Sequence, residues 1–97
     1  MICRRDLERG IQAAQLVHAA GESSPGGLSS GTHAVVLSAR DERHLRQIAR
    51  ELSLAGIGHV CIEEPDAPYL GALMAIGCVP ARKEVLRRHL SSLPLLR

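Results

Sequence analysis

Two rhythms of apolar and polar residues run along this chain. From Gly10 to Gly21 the sequence reads GIQAAQLVHAAG, and Ile11, Ala14, Val17 and Gly21 recur at helical spacing. The pattern predicts a helix with that stripe facing the core. Leu45, Ile48, Ala49, Leu52 and Ala55 keep the same spacing, and Gly56 stands where a helix C-terminal glycine belongs. Ser38-Ala39-Arg40-Asp41 reads as a capping box for this second helix, with Asp41 favoured near its positive end. Continuous apolar runs lie between the helices. Thr32 to Ala39 predicts a strand buried on both faces, as at the centre of a sheet. His59 to Glu63 and Leu70 to Cys78 predict two more strands. Ile2 to Leu7 begins apolar and turns charged, the end of a short first strand. Either the sheet begins there, or the native start lies upstream of Met1. Pro80 opens the last helix, with Val85, Leu86 and Leu90 inside and Arg82, Lys83, Arg87 and Arg88 outside. Pro94 breaks the tail.

Two stretches follow neither rhythm. Glu22 to Gly31, ESSPGGLSSG, predicts a flexible surface loop, too short to separate domains. Glu64 to Tyr69 predicts an acidic loop held by prolines. The 97 residues suffice for one domain with one core. The order β-α-β-α-β-β-α therefore predicts a single α/β domain, residues 1–97. Its expected form is a mixed four-stranded sheet with helices on both faces. The first three strands should be parallel through right-handed crossovers, and the last two antiparallel. Sites in such sheets form at the carboxyl ends of the parallel strands. That edge would gather Arg4, Arg5, Asp6, the start of the first helix, Ser38, and Glu63 to Asp66.

Composition narrows the chemistry. Hydrophobic residues make up 45%, yet Tyr69 is the only aromatic, so the core is aliphatic and base stacking is nearly excluded. A formal charge of +2 is too small to capture nucleic acid by field alone. The basic residues are almost all arginine, which suits bidentate phosphate contacts, though a genome rich in arginine codons gives the same bias. The row Arg43, Arg46, Arg50 reads as a solvated helix face. Cys3, Cys61 and Cys78 form no CxxC pair and read as buried thiols in a reducing compartment. The histidines show no metal-ligand spacing with them, and no metal or cofactor is expected. No segment is long enough to span a bilayer and no signal peptide is visible, so the expectation is a cytoplasmic protein. Gln15 and His18, three apart, share a helix face and can reach one target, although such residues on an apolar helix are commonly core groups with satisfied hydrogen bonds.

RDL at residues 5–7, AAQ at 13–15 and HAA at 18–20 resemble the type-2 peptidyl-tRNA hydrolases, whose first strand and helix typically read TDL, GKIAAQ and HA. AVVLSARDERHL resembles the family's second strand and capped helix, GHVCIEEP its third strand, and MAIGCVPARKEVL its final strand, turn and helix. The likeness covers nearly the whole chain. It is closer to a divergent branch, described as peptidyl-tRNA hydrolase domain-containing, with an RRDL start and an acidic-proline turn in place of a DAGxTQ loop.

The resemblance implies hydrolysis of the ester joining a peptidyl group to tRNA, without a cofactor. Glu64 would activate water as general base, or hold a partner that does. Gln15 would help stabilise the oxyanion, and His18 would orient Gln15 or exchange a proton. Arg4 and Arg5 would hold terminal phosphates, with Asp6, Gly10 and Tyr69 also on the substrate side, and the basic last helix would take the acceptor stem. Gln15, His18 and Asp6 carry over directly. The chain departs from the family at Ile11, which stands in the slot of its lysine, and in the missing loop threonines, where Tyr69 is the nearest polar group. Its second helix is replaced by the Gly/Ser loop, and its aspartate aligns with Glu64, or with Glu63 if the register slips. These departures favour an alternative, a tRNA- or RNA-binding relative that kept the fold and lost the chemistry. A protein-interaction module using the last helix is a third reading. A homodimer is left open.

Overall fold

The computed structural model describes residues 1–97. Strand β1 (Ile2–Arg4) leads through helix α1 (Arg9–Ser23) to β2 (Leu37–Ala39), α2 (Glu42–Leu54), β3 (His59–Glu64), β4 (Ala72–Cys78) and α3 (Lys83–Leu90). The strands form one sheet in the order β2-β1-β4-β3. β1 and β2 are parallel, while β4 is antiparallel to both β1 and β3, so β1, β2 and β3 all point the same way. This is the mixed four-stranded α/β domain expected from the residues. The Cα radius of gyration is 12.7 Å, against about 12.5 Å for one domain of this length. No helix is long and apolar enough to cross a membrane.

The two faces carry different cores. Leu45, Ile48 and Leu52 of α2 and Leu90 of α3 meet Ile2, Ala39, Leu73 and Ile76 on one face. On the other, Ala19 of α1 meets Ile62 and Ala75, with Met1 and Val60 alongside. Caps fix α2 at both ends. The Asp41 carboxylate accepts from the His44 N–H at 2.9 Å, and His44 Nδ1 accepts from the Arg40 N–H at 3.1 Å. Asp41 is thus the N-cap itself. Ser38, expected to begin the capping box, lies buried within β2 instead. At the far end Gly56 adopts φ +70°, and Ile57 N–H reaches back to Leu52 O at 3.0 Å, the Schellman closure.

The apolar stripe expected of α1 is not its buried face. Gln12, Gln15, Ala19 and Ser23 are buried, whereas Val17 is 73% exposed. The reason lies in β4. A Cβ added at Gly77 would collide with the Ala19 carbonyl and come within 2.7 Å of Ser23 Oγ. The helix backbone therefore lies almost on the strand, and only Ala and Ser fit between them.

β2 also departs from expectation. The strand is only Leu37–Ala39, and it lies at an edge of the sheet, not at its centre. Thr32 to Val35 are exposed, and the outer edge of the short strand is closed by pairing with the tail. Ser38 N–H donates to Pro94 O at 2.8 Å, Leu96 N–H to Val36 O at 3.0 Å, and Leu37 and Leu95 form an antiparallel bridge. The last helix starts at Lys83, three residues after Pro80, and buries Leu90 while leaving Val85 largely exposed. Cys3 is buried as expected, but Cys61 is exposed on β3.

Between β3 and β4 the register shifts: Ile62 pairs with Ala75, but Glu63 pairs with Leu73, leaving Met74 as an extra residue. Without this bulge Leu73 and Ala75, two apart, would share a face. With it, Leu73 turns into the α2 core and Ala75 stays under α1.

The close approach at Gly77 makes a direct prediction. Gly77→Ala should destabilise the fold by about 1–3 kcal/mol, since the opposing atom is a backbone carbonyl that cannot move aside. Gly21→Ala, at a helical position with nothing within 4 Å, should be neutral or stabilising by up to about 1 kcal/mol. Urea denaturation of the two variants measures the difference.

Candidate active site

The carboxyl ends of β1, β2 and β3 share one edge, and α1 crosses it above β3 and β4. Gln15 sits one turn into α1 beyond Gln12 and is only 5% exposed. Its Nε2 donates to Glu64 Oε2 at 3.1 Å, at the last residue of β3. The other Glu64 oxygen, Oε1, accepts from the Asp66 N–H at 3.2 Å. The carboxylate is thus held from both sides while remaining partly open to solvent. His18 follows one turn after Gln15 and is exposed. The helix wall made by Gln15, His18 and Glu22 faces the segment Cys61 to Asp66 across a groove of about 550 Å³. The helix amide and imidazole therefore converge with the carboxylate that closes the third strand.

Glu22, Glu63, Glu64 and Asp66 line the groove, and no arginine or lysine does; the Glu63 carboxylate itself lies on the α2 side of the sheet, 4.0 Å from Arg46 Nη2. Glu22 was legible in the sequence, since residues 15, 18 and 22 fall on one helical stripe. The glycines and serines that follow mask it, because they suit a loop while the helix runs on to Ser23.

Arg4, Asp6 and Tyr69 form a second cluster. Arg4 Nε and Nη2 grip the Asp6 carboxylate at 3.0 and 2.9 Å, and Nη1 donates to the Leu73 carbonyl at 3.2 Å and lies 4.0 Å from Met74 Sδ. Four of the five guanidinium N–H groups are thereby engaged. Arg4 holds the protein's own chain together, which leaves little of it for a phosphate. The hydrogen bond to Asp6 raises the Arg4 pKa most, and Tyr69, partly buried, is close enough to add a small electrostatic contribution. Arg5 is exposed and its backbone N–H bonds Ala39 O at 2.9 Å, tying the ends of β1 and β2 together. Gly10 is exposed in the first turn of α1 and does not line the groove.

Glu42 completes the second cluster, a role that no local pattern of residues marks. Its Oε2 accepts from the Leu73 N–H at 2.9 Å and from Arg46 Nη2 at 2.8 Å. Both bonds favour the charged form and hold the Glu42 carboxyl below its ordinary pKa, the Leu73 N–H contributing most. The Arg4 hydrogen bonds likewise hold Asp6 low. Burial pushes the Cys3 thiol up to about 11, so it is no nucleophile. Gln12 donates to the Arg4 carbonyl at 3.0 Å, leaving its buried Oε1 without a partner.

No family model matches the chain, and no curated protein matches it.

The two depressed carboxylates set an acid dependence. A carboxyl with a lower pKa in the folded state stabilises above its unfolded pKa and loses that contribution as pH falls through the folded one. Stability should therefore decline below about pH 4. Asp6→Asn and Glu42→Gln together should lower stability at pH 7, by about 1 kcal/mol or less at each solvent-exposed site, and flatten the acid limb. Urea midpoints measured between pH 2 and pH 7 check both effects.

Proposed function

We propose that the chain hydrolyses the ester between a peptidyl, or N-blocked aminoacyl, group and tRNA. The reading rests on one observation: the Gln15 amide and the Glu64 carboxylate meet at 3.1 Å beside His18, in a groove open to solvent. A primary amide carries two N–H donors, and only one is used on Glu64. The second is free to donate to an oxyanion. Glu64, steadied by Gln15 and the Asp66 N–H, accepts a proton from the water that attacks the ester carbonyl. The tetrahedral intermediate places its negative oxygen against the free Gln15 N–H. It collapses by breaking the bond to the ribose oxygen, which leaves with a proton returned by Glu64 or supplied by His18.

Phosphate contacts are assigned to the arginines of the same sheet edge. Arg5 and Arg40 follow β1 and β2, while Arg9 and Arg43 open α1 and α2, and all four are exposed. α3 follows β4, which runs the other way, so it begins at the opposite edge of the sheet. Its arginines are therefore not assigned to the acceptor stem. The groove itself is acidic, so a tRNA would lay its backbone on the arginine side and extend only its esterified end among the carboxylates.

The alternative, a tRNA-binding relative without chemistry, is favoured by Ile11, which occupies the slot of the family's lysine, while no cation replaces it in the groove.

Purified protein should release N-acetylated aminoacyl groups from charged tRNA. Glu64→Gln, with unchanged folding, should lower that rate on the order of a hundredfold. An unchanged rate removes Glu64 from the role. Binding that weakens steeply with salt, without turnover, would establish the non-catalytic alternative.

A further inference from the structure

The sheet has two edges, and only one is closed. The tail covers β2, but nothing pairs with the outer side of β3. The register says which β3 groups face outward. Gly58 O accepts from Val79 N–H at 2.9 Å, and Glu64 O accepts from Gly71 N–H at 2.7 Å, both on the β4 side. Peptide groups alternate along an extended strand, so Val60 and Ile62 also face β4. His59, Cys61 and Glu63 consequently direct their backbone N–H and C=O away from the sheet. The groove described above lies beside this edge: its floor is Cys61 to Asp66, its wall is α1, and Gln15 and Glu64 are among its lining residues.

We infer that the open edge of β3 binds an extended peptide by main-chain pairing, and that this peptide is the peptidyl part of the substrate. The inference rests on the hydrolase reading for the identity of the occupant. Three observations support it. Main-chain pairing ignores side-chain identity, which suits an enzyme that must accept any peptide. The ester must lie at Glu64, so the peptide's carboxyl end lies there and its amino end points toward His59. It therefore runs parallel to β3, with the Cys61 and Glu63 peptide groups as its partners. The groove carboxylates give charge complementarity to lysine- or arginine-bearing peptides. They also oppose a second copy of this chain, whose own Glu63 and Glu64 would be brought close by edge-to-edge pairing.

The test compares an N-acetylated aminoacyl-tRNA with an N-acetylated tetrapeptidyl-tRNA carrying lysine. A second tetrapeptide is N-methylated at the two residues that would pair. In parallel, amide shifts of β3 are followed while the corresponding peptide amides are titrated. The longer substrate should gain on the order of tenfold in kcat/KM, and N-methylation should erase the gain. Cys61→Pro removes the same outward donor from the protein and should likewise erase it, as an edge position tolerates proline. The His59, Cys61 and Glu63 amides should shift with the unmodified peptide alone. If no ester is cleaved but these shifts occur, the hydrolase reading fails and the edge assignment stands. If short, long and N-methylated substrates react alike and the β3 amides stay still, the edge assignment is overturned and the hydrolase reading stands. Shifts that follow protein concentration instead of peptide would show a second copy on the edge, and would also overturn it.

Discussion

The peptide of Leu73 is pinned from both ends. Its N–H is held by the Glu42 carboxylate at 2.9 Å and its C=O by the Arg4 guanidinium at 3.2 Å. These groups face the side where β1 has already ended, so no strand is left to satisfy them. Unpaired, a buried backbone group costs about 1–3 kcal/mol. Two side chains from separate elements supply the missing pairing, and the bulge at Met74 persists because of it. The bulge in turn sends Leu73 into the α2 core and leaves Ala75 beneath α1. Arg4 and Asp6 do not line the groove and serve this clamp instead.

The second constraint is the closeness of α1 to β4. Gly77 and Ala75 present almost no side chain, so the helix settles onto the strand with Ala19 and Ser23. A helix this close has little room for large apolar groups on its inner face. Toward the carboxyl edge of the sheet, that face instead carries the two glutamines, each able to reach a strand end. Gln12 takes the end of β1 and Gln15 the end of β3. Burying an amide is unfavourable without a partner, and the strand termini provide partners. Val17 and Ala14 are left outside because the inner stripe is already defined by small and amide side chains.

Charge is divided along the same edge. At the ends of β1 and β2 the exposed Arg5, Arg9, Arg40 and Arg43 stand among Asp6, Glu8, Asp41 and Glu42, whereas acidic residues without a cation line the groove at the end of β3. With strands about 4.8 Å apart, the two ends of the four-stranded edge are roughly 14 Å from each other. A small net charge thus conceals one locally acidic groove. A ligand that is anionic at one end and a neutral or cationic chain at the other would fit this division in a single orientation.

The sequence alone determined the element order, the parallel run of the first three strands, the antiparallel last pair and the helix-ending Gly56, because these follow from periodicity, connection length and local backbone preference. It also brought Gln15 and His18 to one helix face, since their spacing is local. Tertiary structure decided the rest. Apolar character from Thr32 to Ala39 suits a central strand, but Thr32 to Val35 stay exposed and only Leu37–Ala39 joins the sheet, at an edge that the tail pairs. The true inner face of α1 was hidden because it depends on the absence of side chains on β4, a property of the partner element. Glu42 could not be read as the ligand of Leu73 because the need for it arises only where a bulge meets the end of a neighbouring strand. Periodicity records which residues prefer to be inside, but the bond of a backbone N–H to a carboxylate 31 positions away in sequence is settled only when the chain closes on itself.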